Sequence, residues 1–167
     1  YAEYDYQINE DNELSVGYNG ALSNNGKGTI DVNGNFQNSH NDKLQDSRLH
    51  NVFARYSSGF GLDFGVDYTD YTMNDKNRLE SKLTDNTRQL LDYTSDQKIR
   101  KFSVYADQSH SLANDWTLKY GVRYDYTDNK NSQLFNQAEG KGNVDNSSSR
   151  LYEQITNFYA GFDKEFE

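Results

Sequence analysis

The chain has 167 residues, enough for one domain with a modest core, and contains 14 tyrosines and 9 phenylalanines but no proline. Only 34% of it is hydrophobic and its net charge is -9, a balance that favours disorder, whereas the aromatic content favours strands. The acidic charge argues against a nucleic-acid partner, because no basic run is present to neutralise phosphates, and the lack of cysteine excludes disulfides and thiol chemistry.

Alternation of apolar and polar residues predicts an all-β chain, an antiparallel up-and-down meander of about seven amphipathic strands. In chain order the strands cover residues 2–8, 13–22, 48–56, 60–72, 98–109, 116–128 and 151–163. The long connections between them cover residues 23–47, 74–96 and 129–149. Within residues 77–93, four leucines near helical spacing indicate a short helix.

Connection length alternates strictly between short and long along the chain. The short connections are residues 9–12, 57–59 and 110–115, and each is followed by a long one. In a meander, alternate connections lie at the same end of the sheet, so one end has tight turns and the other has all the large loops. This asymmetry is typical of a transmembrane β-barrel, with short periplasmic turns and long extracellular loops.

A barrel strand has one side against lipid and one side against a wet lumen. The residues predicted to face lipid are Phe60, Leu62, Phe64, Val66, Trp116, Leu118, Tyr120 and Val122. Those predicted to face the lumen are Asp63, Asp67, Lys119 and Arg123, which lie at mid-strand, where a soluble core would exclude charge. The glycines inside strands, Gly17, Gly65, Gly121 and Gly161, are expected to relieve curvature and pack under neighbouring aromatic rings.

Catalytic, metal and cofactor sites are not predicted. The three histidines, His40, His50 and His110, lack the spacing of metal ligands. Asp63 and Asp67 share a strand face and have the composition of an acid–base pair, but a wet barrel wall carries carboxylates for solvation alone, and this explanation is preferred. The sequence therefore indicates a protein that is not an enzyme.

Residues 95–130 resemble a segment of the outer-membrane β-barrel family allied to TonB-dependent receptors. That family has a QKI lead-in, a strand ending in Asp-x-Ser-His, a short turn, and a W-x-L-x-x-G-x-R-Y strand. The matching positions here are Gln97, Lys98, Ile99, Asp107, Ser109, His110, Trp116, Leu118, Gly121, Arg123 and Tyr124. The family usually has proline after the histidine, where this chain has Ser111.

The resemblance implies a barrel of about 22 strands, an N-terminal plug and a TonB-interacting segment, importing a bulky nutrient across the outer membrane. Its implied partners are outer-membrane lipid, TonB and a surface lipoprotein. Because Tyr1 already lies within a patterned segment, we expect the chain to be an excerpt of such a receptor, supplying barrel wall and extracellular loops.

The alternative interpretation is a soluble, secreted antiparallel β-sandwich for ligand binding or adhesion, with the aromatic face as its core. The two interpretations differ in what covers that face. If lipid covers it in the parent protein, the isolated chain should self-associate in water, because exposed edges and large apolar patches drive association.

Overall fold

The computed structural model describes residues 1–31, 36–83, 88–113, 115–139 and 145–164. In this part of the chain seven strands form one sheet, in sequence order, and every neighbouring pair is antiparallel. The strands are β1 (Ala2–Asn9), β2 (Asn12–Asp31), β3 (Phe36–Ser58), β4 (Leu62–Leu83), β5 (Arg88–Ser111), β6 (Trp116–Glu139) and β7 (Ser147–Lys164). The predicted all-β meander is confirmed.

The three short connections lie together at one end of the sheet, as predicted. The β1–β2 turn is held by the Asn9 side chain, whose Oδ1 accepts hydrogen bonds from the Asp11 amide at 3.0 Å and from the Asn12 amide group at 2.7 Å. In the β3–β4 turn, Gly61 has a φ of +84°, a conformation that glycine adopts without steric cost. Phe60 belongs to this turn and not to a strand, contrary to the sequence prediction.

The strands are longer than predicted, because most of the three segments predicted as long loops continue the β-ladder. Residues 23–31 pair with residues 40–47, residues 74–82 pair with residues 88–96, and residues 129–133 pair with residues 147–151. These extensions are mostly polar, and their few apolar residues, such as Leu79 and Leu90, are divided between the two faces, so they lack the hydrophobic alternation from which strands were predicted. Hydrogen-bonded pairing continues where that alternation stops.

The short helix predicted within residues 77–93 is wrong for the described part of that segment. Residues 77–83 end β4 and residues 88–93 begin β5, and the two stretches face each other as strands. Residues 84–87 lie outside the described part. The leucine spacing arises from an extended strand pair in which Leu79 faces Leu91.

The sheet is a single layer with almost no core. Among the described residues, Phe53 and Leu90 are the buried hydrophobic side chains, whereas many large apolar side chains are exposed. A β-sandwich buries its apolar face against a second sheet, and the described strands form one sheet. The sandwich interpretation is therefore wrong.

In the described part of the chain, no helix has the length and apolar character needed to cross a membrane.

Candidate functional site

The strand register collects the alternating apolar residues of all seven strands on one face of the sheet, here called the apolar face. One cross-strand row on it contains Tyr6, Leu14, Tyr56, Phe64, Ala106, Val122 and Phe158. The next row contains Tyr4, Val16, Ala54, Val66, Val104, Tyr124 and Thr156. A third contains Ala2, Tyr18, Val52, Tyr68, Phe102, Tyr126 and Gln154.

The apolar band on this face has the height of a membrane. On β6 it runs from Trp116 to Tyr126, which at about 3.4 Å per residue is about 34 Å along the strand. A strand tilt of about 40° reduces this to about 26 Å along the membrane normal, close to the ~25 Å apolar band of outer-membrane barrels.

Aromatic residues mark both edges of the band. At the edge farther from the turns, the rings of Tyr126 and Tyr152 lie 6.4 Å apart. At the turn end, Trp116 and Phe162 meet edge to face at 6.5 Å. Paired aromatic girdles of this kind flank the hydrocarbon-facing band of membrane barrels, because amphipathic rings favour the interface.

The register separates the two sets of residues that the sequence predicts to face lipid and lumen. Seven of the first set, Leu62, Phe64, Val66, Trp116, Leu118, Tyr120 and Val122, share the apolar face, while Phe60 lies in a turn. All four of the second set, Asp63, Asp67, Lys119 and Arg123, lie on the opposite face, here called the polar face.

The polar face carries a hydrogen-bonded network at mid-strand. Arg123 donates from Nε to both carboxylate oxygens of Asp125, at 3.0 and 2.9 Å, and from a terminal nitrogen to the Ser103 hydroxyl at 3.3 Å. Ser103, only 8% exposed, donates in turn to Asp125. Charge on this face is therefore stabilised by hydrogen bonds within β6 and from the neighbouring strand β5.

A second cluster on the polar face surrounds Asp67. The Asn51 amide donates to the Asp67 carboxylate at 2.9 Å and to the Thr69 hydroxyl at 3.0 Å. Nearer the turns, Lys119 pairs with Asp163 at 2.6 Å. The sequence alone predicts Asp67 and Lys119 for this face but not their partners, because a partner on a neighbouring strand is identified only once the register is known.

Three glycines on the polar face lie under aromatic rings, as predicted. Gly17, Gly65 and Gly121 face Phe53, Tyr105 and Tyr159 on the next strand, and a Cβ at any of the three would collide with that ring. Each pair joins two strands of one long hairpin and lies one row nearer the turns than the preceding pair. The three pairs therefore lie on a diagonal across the sheet, as expected when strands tilt relative to the axis of a barrel. Gly161 does not follow the prediction, since nothing lies within 4 Å of its Cβ position.

Beyond the aromatic edge, the apolar face becomes charged. Asp70 pairs with Lys98 at 3.5 Å and with Arg100 at 3.3 Å. Arg150 forms two hydrogen bonds of 2.8 Å to Asp128, which is only 7% exposed. These hydrogen bonds hold the pKa of the Asp128 carboxyl below its usual range. Asp70, Lys98, Arg100 and Asp128 lie near the ends of predicted strands, but the sequence alone does not identify them as partners, because each pairing depends on the register between neighbouring strands.

Two of the three histidines contact tyrosines on the apolar face. The His50 ring stacks on Tyr18, with Nδ1 2.6 Å from the tyrosine hydroxyl. The His110 ring stacks on Tyr120, with Nε2 3.1 Å from that hydroxyl. Each ring thus packs beside an aromatic edge of the band. The side chain of His40 lies outside the described part of the structure.

Residues 1–165 match the model of a family described as TonB dependent receptor-like, beta-barrel, so the match includes all seven strands. A search of curated proteins found no match to the chain.

Proposed function

Because the chain belongs to the TonB-dependent receptor-like β-barrel family, we propose that its seven strands form part of the wall of an outer-membrane transporter. Members of this family are outer-membrane transporters and not enzymes. The observation that carries the proposal is the division of one sheet into an apolar face and a hydrogen-bonded polar face. A wall between lipid and a wet lumen needs both.

In this proposal the apolar face contacts lipid and the polar face lines the lumen. The lipid-facing residues are Leu62, Phe64, Val66, Trp116, Leu118, Tyr120 and Val122, and the lumen-facing residues are Asp63, Asp67, Lys119 and Arg123. β1 pairs with β2 and β7 pairs with β6, and the two end strands do not pair with each other in the described residues. Each end strand of the sheet is therefore expected to continue into further wall.

Substitution of adjacent residues on β6 tests which face meets lipid. Arginine on the lipid side costs about 2–4 kcal/mol at the bilayer midplane and less towards the interfaces, and this cost does not apply on the lumen side. Leu118 lies inside the apolar band, two residues from its edge at Trp116. We expect Leu118→Arg to reduce the amount of folded, heat-modifiable barrel in outer membranes, and Lys119→Arg to leave it unchanged. Equal amounts of folded barrel for the two variants would contradict the assignment.

The proposed transport is TonB-dependent import of a bulky nutrient, with the long hairpins as its extracellular part. β5 has 24 residues, about 78 Å along the strand and about 60 Å along the normal at a tilt of about 40°. Its outer part is mostly polar and lacks a continuous apolar side, so we expect it to extend beyond the lipid. A wall of this height is suited to contact a large substrate or a surface lipoprotein.

Uptake by whole cells tests the transport proposal. Cells with the intact receptor, cells lacking it and cells lacking TonB would be supplied with the same complex medium, and depletion of its large solutes would be measured. We expect at least one solute above the size limit of general porins to be depleted only when receptor and TonB are both present. Identical depletion profiles in the three strains would contradict it.

A further inference from the structure

The polar face contains an apolar row beyond the aromatic edge. The row crosses β2 to β7 and contains Ala21, Leu49, Tyr71, Ile99, Asn129 and Leu151. Tyr71 lies three residues beyond Tyr68, which shares the row of Tyr126 at the aromatic edge. This separation is about 10 Å along the strand and about 8 Å along the normal. Because the row faces away from lipid in the proposed wall, contact with lipid does not explain its apolar side chains.

The next two rows of the polar face carry hydroxyl and amide groups and little charge. The first contains Ser23, Ser47, Met73, Gln97, Asn131 and Ser149. The described side chains of the second are those of Gln45, Asp75, Ser95, Gln133 and Ser147. Asp75, the charged residue of these rows, pairs with Lys43 at 3.7 Å. Hydroxyl and amide groups both donate and accept hydrogen bonds, so the three rows form a surface of apolar and uncharged polar groups, here called the neutral surface.

The apolar face is charged at the same height, although water meets both faces there. The rows of that face that alternate with the neutral surface carry a charged residue on every strand from β3 to β7, namely Arg48, Asp70, Lys98, Lys130 and Arg150. Solvation by water alone would favour charge on both faces equally. The difference indicates that the neutral surface contacts a molecule other than water.

The composition of the neutral surface favours an uncharged partner. A charged group loses hydration when it docks and needs a counter-charge, whereas Asp75 on this surface is already paired. Peptides carry charge at both ends, but a neutral oligosaccharide has hydroxyl groups on its edges and C–H groups on the faces of its rings. The hydroxyl groups match the amide and hydroxyl side chains, and the ring faces match the apolar row.

The length of the apolar row fits an oligomer. From Leu49 to Leu151 the row crosses β3 to β7, a distance of about 19 Å at ~4.8 Å between neighbouring strands. A single sugar would cover only part of this row, whereas an extended chain of several sugars would lie along it.

We propose that the neutral surface binds a neutral oligosaccharide, with the faces of its sugar rings against Leu49, Tyr71 and Ile99. Its hydroxyl groups hydrogen-bond to the row that contains Gln97 and Asn131. This inference rests on the proposed function and names the class of its bulky nutrient, because the polar face must line the lumen for an imported solute to reach the neutral surface.

The test uses the intact receptor, purified in a detergent without sugar head groups and applied to an array of neutral oligosaccharides, acidic oligosaccharides and short peptides. Isothermal titration calorimetry then measures the affinity for the neutral oligosaccharide that binds best. Gln97→Glu keeps the shape of the side chain but replaces a hydrogen-bond donor by a charge. The matched control is Thr72→Glu, which adds the same charge to the apolar face of the neighbouring strand, opposite Lys98. A second variant, Ile99→Ala, removes apolar contact without adding charge.

We expect the receptor to bind neutral oligosaccharides in preference to acidic ones and to peptides. Loss of a hydrogen bond should weaken binding to Gln97→Glu by up to about 10-fold, Ile99→Ala should also bind more weakly, and Thr72→Glu should keep the original affinity. Heat modifiability of each variant verifies that it is folded.

Three results would each overturn the inference: no binding of any neutral oligosaccharide on the array, preference for peptides or acidic oligosaccharides, or equal affinity of Gln97→Glu and Thr72→Glu. TonB-dependent depletion of a large solute that is not a neutral oligosaccharide would contradict this inference alone and leave the proposed function intact.

Discussion

The two halves of the sheet share one continuous backbone ladder but differ in what fixes their register. The half nearer the turns extends from the turns to the aromatic edge at Tyr126 and Tyr152. Along each strand there, successive side chains point alternately to the apolar face and the polar face, so a slip of one residue would exchange the faces. In the half beyond the aromatic edge, both faces are mostly polar, and the few apolar residues do not keep to one face. There the alignment depends on individual pairs such as Lys43 with Asp75 at 3.7 Å and Arg88 with Glu80 at 2.8 Å.

The difference shows how one fold adapts to two solvents. A wall in lipid needs an uninterrupted apolar side, so its register is specified by every second residue. A wall in water has no such demand, and its exposed ion pairs contribute only ~0–1 kcal/mol each. We therefore expect the half nearer the turns to tolerate far fewer substitutions on the apolar face than the other half.

The largest expected effect concerns the isolated 167-residue chain in water. Its apolar face exposes large side chains, among them Phe158 at 79% and Phe162 at 64%, and burial of each such side chain contributes about 1.5–3 kcal/mol. We propose that the isolated chain self-associates through the half nearer the turns, which light scattering in aqueous buffer would detect.

Two arginine substitutions on the apolar face of β4 locate this association. Phe64→Arg places a charge within the band and should lower the average mass of the particles, whereas Thr72→Arg lies beyond the aromatic edge and should not. A monodisperse monomer of the unsubstituted chain, with the apolar face in water, would contradict the account of the two faces.

A smaller effect is expected from adding one methyl group under an aromatic ring. In Gly65→Ala the new Cβ would collide with the Tyr105 ring, so the ring must lift, at a cost of about 1–3 kcal/mol. Gly161→Ala, with open space at the same atom, should be neutral. Urea unfolding of the intact barrel in detergent would measure both, and equal stability of the two variants would show that ring packing over glycine is unimportant.

The smallest effect concerns the pair of Arg150 and Asp128 beyond the aromatic edge. Because the folded pKa of Asp128 is depressed, the pair stabilises the fold above the unfolded carboxyl pKa of ~3.9, and this stability is lost as the pH falls through the folded pKa. Arg150→Gln should therefore lower the melting temperature more at pH 7 than at pH 2. A difference that is equal at both pH values would show that charge is not involved.

The sequence predicts the half nearer the turns well and the other half poorly. Strand order, antiparallel pairing and the position of the turns follow from hydrophobic alternation and connection length, as in the β4 and β6 strands. The extensions of those strands were missed because residues such as Asn74 and Asp96, which hydrogen-bond across strands, have polar neighbours on both sides. Alternation is absent wherever water meets both faces.

Positions of single residues depend on details that alternation does not encode. Phe60 continues the apolar pattern of β4 but lies in the turn closed by Gly61, where the chain reverses. Asp125 follows Arg123 by two residues on the same face of β6, whereas Ser103 becomes their neighbour only through the register of β5 and β6. Once that register is fixed, the network follows from the sequence.

Accessibility along residues 116–127 of β6 tests the central claim, that one face of this sheet meets lipid and the other a wet lumen. The chain contains no cysteine, so single cysteines introduced there in the intact receptor are unique within this segment. In proteoliposomes, the fluorescence of labels attached to cysteines at positions 118, 120 and 122 should be quenched by nitroxide lipids. The fluorescence of labels at positions 119, 121 and 123 should be quenched by a water-soluble quencher. Quenching without a two-residue period, or with the two sets exchanged, would contradict the account.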